Sequence, residues 1–233
     1  MNYQGRHVVV TGATGALGTA VLEALLQAGA TCHVPYRSER AIEHHPHRAN
    51  ARVSFVSVAD LADEAAVARY YETLPGLWAS IHIAGAFASA PIADSDKALL
   101  LGQLDANLFS AYLCCRSAAA VLRRAGSGGR LVNVAARQAL EPRLGSGSVA
   151  YTIAKSGVAA LTTALGAELA KENILVNAVA PSIMDTPDNR QAMPNADFSS
   201  WPKVADVAAT ILFLASAENT VTRGAVVPVY GRS

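Results

Sequence analysis

Charge is scarce in this 233-residue sequence. Asp, Glu, Lys and Arg together make up 16%, and 19 basic against 18 acidic residues leave a formal net charge of +1. Without a field of one sign, neither nucleic acid nor a membrane surface has an electrostatic handle, so a small-molecule partner is expected. Cysteine is scarcer still: Cys32, Cys114 and Cys115 have neither disulfide-framework nor zinc-ligand spacing, and they read as reduced structural thiols with no metal site implied. No repeat, linker, apolar segment of signal-peptide length or membrane-spanning stretch stands out, and a cytoplasmic protein is expected.

What is abundant is apolar: 52% of residues are hydrophobic, enough to cover both faces of a sheet. Short β-branched runs alternate with longer Ala- and Leu-rich stretches, the pattern of βαβ units. The spacing predicts strands near 6–11, 31–35, 52–57, 78–83, 130–134, 174–179 and 225–229, and helices near 17–28, 61–74, 98–124, 149–171 and 203–216. Residues 1–233 are expected to form one α/β domain, a doubly wound, seven-stranded parallel sheet of Rossmann type. The irregular pieces are EHHPHRAN after residue 42 and a candidate substrate loop at about 182–202.

The run HVVVTGATGALG places Gly12, Gly15 and Gly18 between the first strand and the first helix. Gly12 permits the tight turn, Gly15 lets backbone approach a phosphate and Gly18 lets helix pack on strand, with Thr14, Ala16 and Leu17 beside them. At the end of the second strand, an acidic residue would read a ribose diol and an arginine a 2′-phosphate. There CHVPYRSER puts Tyr36 in the acidic slot, followed by Arg37, Ser38 and Arg40. NADP(H) is the expected cofactor, NAD(H) remaining possible; the alternative is that both arginines are ordinary solvated charges.

TGATGALG, the Asp60 of SVADL, IHIAGAF, the Asn107 of LDANLFSAY, YTIAK and LVNAVAP with Thr186 beyond it, taken in order, resemble the landmarks of the short-chain dehydrogenase/reductase family over nearly the whole chain. The resemblance implies an oxidoreductase in which Asp60 and Leu61 meet the adenine, Ala84 and Gly85 line the cofactor, and Pro181, Ile183 and Thr186 approach the nicotinamide. Asn107 would hold a water relaying protons to Lys155. Asp60 also reads as a helix cap for DLADEAAV. Members commonly pair through the helices bearing the counterparts of Asn107 and Tyr151, so a homodimer or homotetramer is implied.

Tyr151 and Lys155 lie four residues apart in one helix and share a face. An ammonium beside a phenol is expected to lower its pKa and let it act as general acid in carbonyl reduction, or as base in alcohol oxidation. Lys155 would also hold the nicotinamide ribose.

The family's serine beside the tyrosine is missing. LVNVAARQAL puts Ala135 and Ala136 at the strand end, and Arg137, Gln138, Ser146 or Ser148 are the candidate replacement donors. In this respect the chain is similar to quinonoid dihydropteridine reductase, so an imine-like substrate is a candidate beside a carbonyl. Arg137 and Arg190 are candidates for binding an anionic substituent. His82 reads as a satisfied strand histidine, and Tyr230 and Arg232 as contacts to a neighbouring subunit. A non-redox lyase or isomerase and a non-catalytic nucleotide sensor are the competing functions.

Overall fold

A computed structural model describes residues 1–233. Seven strands form one sheet: β1 (His7–Thr11), β2 (Thr31–Tyr36), β3 (Val53–Ser57), β4 (Ala79–His82), β5 (Gly129–Val134), β6 (Ile174–Pro181) and β7 (Val226–Val229). Their order is β3-β2-β1-β4-β5-β6-β7 and every pairing is parallel. The order reverses direction between β1 and β4, and at such a switch point two strand ends diverge to leave a crevice. Thr11 ties the two ends together: its hydroxyl accepts from the Ile83 and Ala84 amides at 3.1 and 3.2 Å.

The helices are α1 (Ala16–Gln27), α2 (Glu39–Ile42), α3 (Glu64–Glu72), α4 (Lys97–Gln103), α5 (Ser110–Ala125), α6 (Arg137–Leu140), α7 (Val149–Glu168), α8 (Pro187–Ala192) and α9 (Val204–Ala215). On one face of the sheet α1 and α9 bury Leu22, Leu25, Ile211 and Leu214. On the other, α3 and α5 bury Val67, Tyr71, Cys115 and Leu122. Burial on both faces explains why β5 and β6 are buried along their whole length.

The structure alters four expectations. The helix expected over 98–124 is interrupted by a π-helical turn at Leu104–Phe109, which carries Asn107; such turns concentrate at functional sites. Taken together, Lys97–Ala125 is long and apolar enough to cross a membrane by length and composition, contrary to the expectation of no such stretch. Part of its apolar surface is packed on the sheet through Cys114, Ala118 and Leu122. Asp60 does not cap α3: Asp63 is the N-cap, its carboxylate accepting from the Ala66 amide at 2.9 Å, while Asp60 accepts from Ala62 at 2.8 Å. The substrate loop contains α8, where Thr186 caps and Pro187 starts the helix.

Candidate active site

The glycine turn is forced by close packing. A Cβ on Gly12, whose φ is +69°, would lie 2.6 Å from the Ala84 nitrogen, and one on Gly18 would lie 2.1 Å from the Gly12 carbonyl oxygen. Both contacts are with backbone, so neither can be relieved by a rotamer change. A Cβ on Gly15 would meet nothing closer than 3.6 Å, so packing is not what requires this glycine. Thr14, Gly15 and Ala16 are exposed, and α1 begins there with no side-chain cap and no acidic residue in its first turn. Its free N–H groups and positive dipole end face a cavity, the arrangement that binds an anion.

That cavity, of about 600 Å³, runs across the switch point. It is lined by the glycine turn, by Tyr36, Arg37 and Ser38 after β2, by Asp60 and Leu61 after β3, and by Ala84, Gly85 and Thr186. Arg37 is exposed and makes no ion pair within the chain, whereas Glu39 beside it is held by the Tyr36 hydroxyl and by Arg48. A dinucleotide fits these residues: a cradle of bare amides for phosphates, and a free guanidinium at the far end.

A second cavity of about 230 Å³ continues from the first, sharing Leu17, Ile83, Gly85, Ala86 and Met184. Tyr151, Lys155 and Asn107 line it, with Phe87, Ala135, Ala136, Pro181 and Ser182. Asn107 is locked by both amide hydrogens, donated to the carbonyls of Ala86 at 2.8 Å and Gln103 at 3.0 Å, while its Oδ1 accepts from the Ala86 amide. A Cβ on Gly85 would lie 2.6 Å from Asn107 Oδ1 and 3.5 Å from Lys155 Nζ, so the bare glycine is what lets both side chains converge.

Lys155 Nζ is buried and donates to the Val134 carbonyl at 2.8 Å. Burial lowers its pKa to about 8 and raises that of Tyr151 to about 12. The expectation that the ammonium would make the phenol acidic is therefore not met by the chain's own groups. Nζ stands 5.8 Å from the Tyr151 ring centre and is turned toward Val134, so desolvation dominates. The Tyr151 ring is fixed edge-to-face against Phe87 at 5.0 Å.

Other expected residues are placed elsewhere. Arg137 and Gln138 do not line the smaller cavity; Arg137 pairs with Glu141 at 3.1 Å and lies over the Tyr230 ring. Arg190 pairs with Asp185 at 2.6 Å and lines neither cavity. Ile183 is exposed and lines neither cavity, while Ser182, Met184 and Thr186 line them, consistent with alternation along an extended segment. Phe87, Ser182 and Met184 are lining residues that the sequence reading missed; that same alternation beyond Pro181 was the available signal for the last two. His82 is buried between Ser80 and Asn133, each at 2.8 Å, and burial lowers its pKa to about 4. It is a neutral structural link.

A parallel sheet with a glycine turn and a Tyr–Lys pair at its switch point defines a dinucleotide-dependent α/β enzyme. The sequence model described as short chain dehydrogenase matches residues 6–197. Galactitol 2-dehydrogenase of Rhizobium johnstonii is 31% identical over 98% of this chain and 97% of its own. Cis-4-hydroxycyclohexanecarboxylate dehydrogenase of Sinomonas cyclohexanicum is also 31% identical, covering 97% and 95%. Among solved structures, a short-chain type dehydrogenase/reductase from Mycobacterium ulcerans superposes with a TM-score of 0.90 at 24% identity, covering 100% of this chain and 90% of that one. ElxO with NADP bound superposes at 0.86 with 23% identity over 97% of both. The chain belongs to the short chain dehydrogenase family and is an NAD(P)-dependent oxidoreductase.

Proposed function

We propose that the chain is an NADPH-dependent reductase of a small carbonyl or imine-like compound, or the corresponding alcohol dehydrogenase running in reverse. The observation that carries this reading is the continuity of the two cavities: Tyr151 and Lys155 line the small one, and the bare amides of the glycine turn line the large one. The cofactor supplies the hydride. Gly12, Thr14, Gly15, Ala16 and Leu17 hold its phosphates, Asp60 and Leu61 its adenine, and Lys155 orients its nicotinamide ribose. Tyr151 passes the proton: its hydroxyl lines the small cavity and is protonated at pH 7, although burial makes it a weaker acid than a free phenol.

Arg37 and Ser38 support NADP(H) over NAD(H), because the guanidinium has no carboxylate of its own to neutralise it. The NADP-bound structural neighbour lends support from fold alone. The catalytic cavity is apolar apart from Tyr151, Lys155, Asn107 and Ser182, and the Ser182 hydroxyl is already donated to the Tyr230 carbonyl at 3.0 Å. Tyr151 is thus the one side-chain hydroxyl free to meet the substrate, which favours a compact, largely apolar molecule. The same lack of a second donor at Ala135 and Ala136 favours a second reading, a non-redox lyase or isomerase.

Exposed Phe109, Tyr112, Val149 and Ile153 on or beside α5 and α7 support pairing of subunits. The three buried, unpaired thiols support a reducing compartment such as the cytoplasm. The test is NADPH binding by fluorescence followed by loss of reduced-nicotinamide absorbance across a panel of ketones, aldehydes and cyclic imines. Oxidation with any member upholds the reductase reading, and tight binding with no oxidation favours the second.

A further inference from the structure

His45 belongs to the His-rich segment after α2, which the catalytic reading leaves without a role. Its ring is buried, stands edge-on to Phe55 at 5.2 Å, and reaches the carbonyl of Ala13 in the glycine turn with Nε2 at 3.2 Å. The other ring nitrogen settles the tautomer. Nδ1 lies 3.2 Å from the backbone nitrogen of His47, which can only donate, so Nδ1 is the acceptor and Nε2 carries the hydrogen given to Ala13.

The Ala13 carbonyl has a second donor, the Thr19 hydroxyl at 3.0 Å. Two donors fix the direction of that carbonyl, and its peptide unit also contains the Thr14 N–H. No peptide in the chain is cis, so within this planar unit the N–H points opposite to the carbonyl. Ala13 is buried, whereas Thr14 is exposed and lines the large cavity. Holding the carbonyl inward therefore holds the Thr14 amide outward. The segment is anchored at a second point by the ion pair of Arg48 with Glu39 at 3.8 Å.

We infer that His45 is a positioning residue for the dinucleotide: by donating to the Ala13 carbonyl it orients the Ala13–Thr14 peptide so that the Thr14 N–H is presented to a phosphate. It acts through the turn and touches no ligand itself. Burial lowers its pKa, so the ring is neutral at pH 7 and keeps Nδ1 free to accept. The inference rests on the dinucleotide reading above, and the test keeps the two apart.

NADPH dissociation constants would be measured for the wild type, His45→Phe and His45→Gln, with kcat at saturating NADPH and melting temperature for each. Phenylalanine keeps the packing against Phe55 and removes the donor, while the glutamine Nε2 can restore it. His45→Phe is expected to weaken NADPH binding roughly threefold to tenfold, the worth of one neutral hydrogen bond. Its kcat should stay within about twofold of wild type, with His45→Gln recovering most of the affinity. Should His45→Phe fold poorly, Thr19→Val removes the other donor to the same carbonyl and is expected to weaken binding likewise. Unchanged affinity in the soluble donor-less variant, or a loss that glutamine leaves unrepaired, overturns the inference while wild-type binding leaves the dinucleotide reading standing. If the wild type itself fails to bind NADPH or NADH, both fall.

Discussion

The Lys155 ammonium lies 5.8 Å from the centre of the Tyr151 ring, yet its short hydrogen bond, at 2.8 Å, goes to the Val134 carbonyl. The lysine is thus anchored to the end of β5 and the tyrosine to Phe87, so the two groups are held side by side by separate parts of the fold. The bare Gly85 lets Lys155 approach Asn107, which the π-helical turn brings to the same cavity.

Burying that ammonium has a pH signature. The folded pKa of Lys155, about 8, lies below its ordinary 10.5, so between these values the unfolded chain binds the extra proton and stability rises with pH. Relative to Lys155→Met, the wild type should gain about 1 kcal/mol per pH unit from pH 8 to 10.5, and the difference should be flat below pH 7. Urea denaturation of both proteins across that range checks this.

The glycine turn separates packing from binding. Gly18→Ala forces a methyl group onto the Gly12 carbonyl and is expected to destabilise the protein by about 1–3 kcal/mol. Gly15→Ala meets ordinary contact distances at a φ of −89° and should melt at or above the wild-type temperature. It nonetheless places a methyl group where a phosphate would approach, so its NADPH affinity should fall. Thermal melts and NADPH titrations of both variants check the contrast.

Arg37 is expected to set cofactor choice. Arg37→Ala should weaken NADPH binding by about tenfold, the scale of one charge-assisted contact, while leaving NADH affinity within about twofold. Parallel titrations with the two dinucleotides measure it; an equal loss for both would reduce Arg37 to general electrostatics.

Arg130 is a structural counterpart at the opposite end of the sheet. Its buried guanidinium donates to the carbonyls of Gly129, Ser216 and Asn219 at 2.9, 3.1 and 2.7 Å and lies 5.0 Å over Trp78. Arg130→Met leaves three carbonyls without that partner and should cost about 3 kcal/mol, read from the denaturant midpoint, with NADPH affinity unchanged in the folded protein.

The strands and the glycine turn were legible because their signals are local: β-branched runs between turns, and glycines at fixed offsets. The parallel seven-stranded architecture followed from that alternation. What escaped depends on contacts remote in sequence. His45 reaches Ala13 across 32 positions, and nothing in EHHPHRAN marks which histidine turns inward. The phenol's rise in pKa reflects burial by surrounding elements, whereas spacing within one helix suggested only the nearby charge. The pairing of Arg137 with Glu141 follows an i,i+4 rule that was readable, and so was the cap-and-proline start of α8 at Thr186 and Pro187.

In the proposed mechanism the Tyr151 hydroxyl carries the proton and does little else. Tyr151→Phe keeps the ring against Phe87, so the decisive measurement is its turnover and NADPH dissociation constant beside those of the wild type, on whichever carbonyl or imine the wild type reduces. Turnover should fall by about 10²-fold or more with NADPH affinity within about twofold. A variant that turns over at the wild-type rate would remove Tyr151 from the proton transfer.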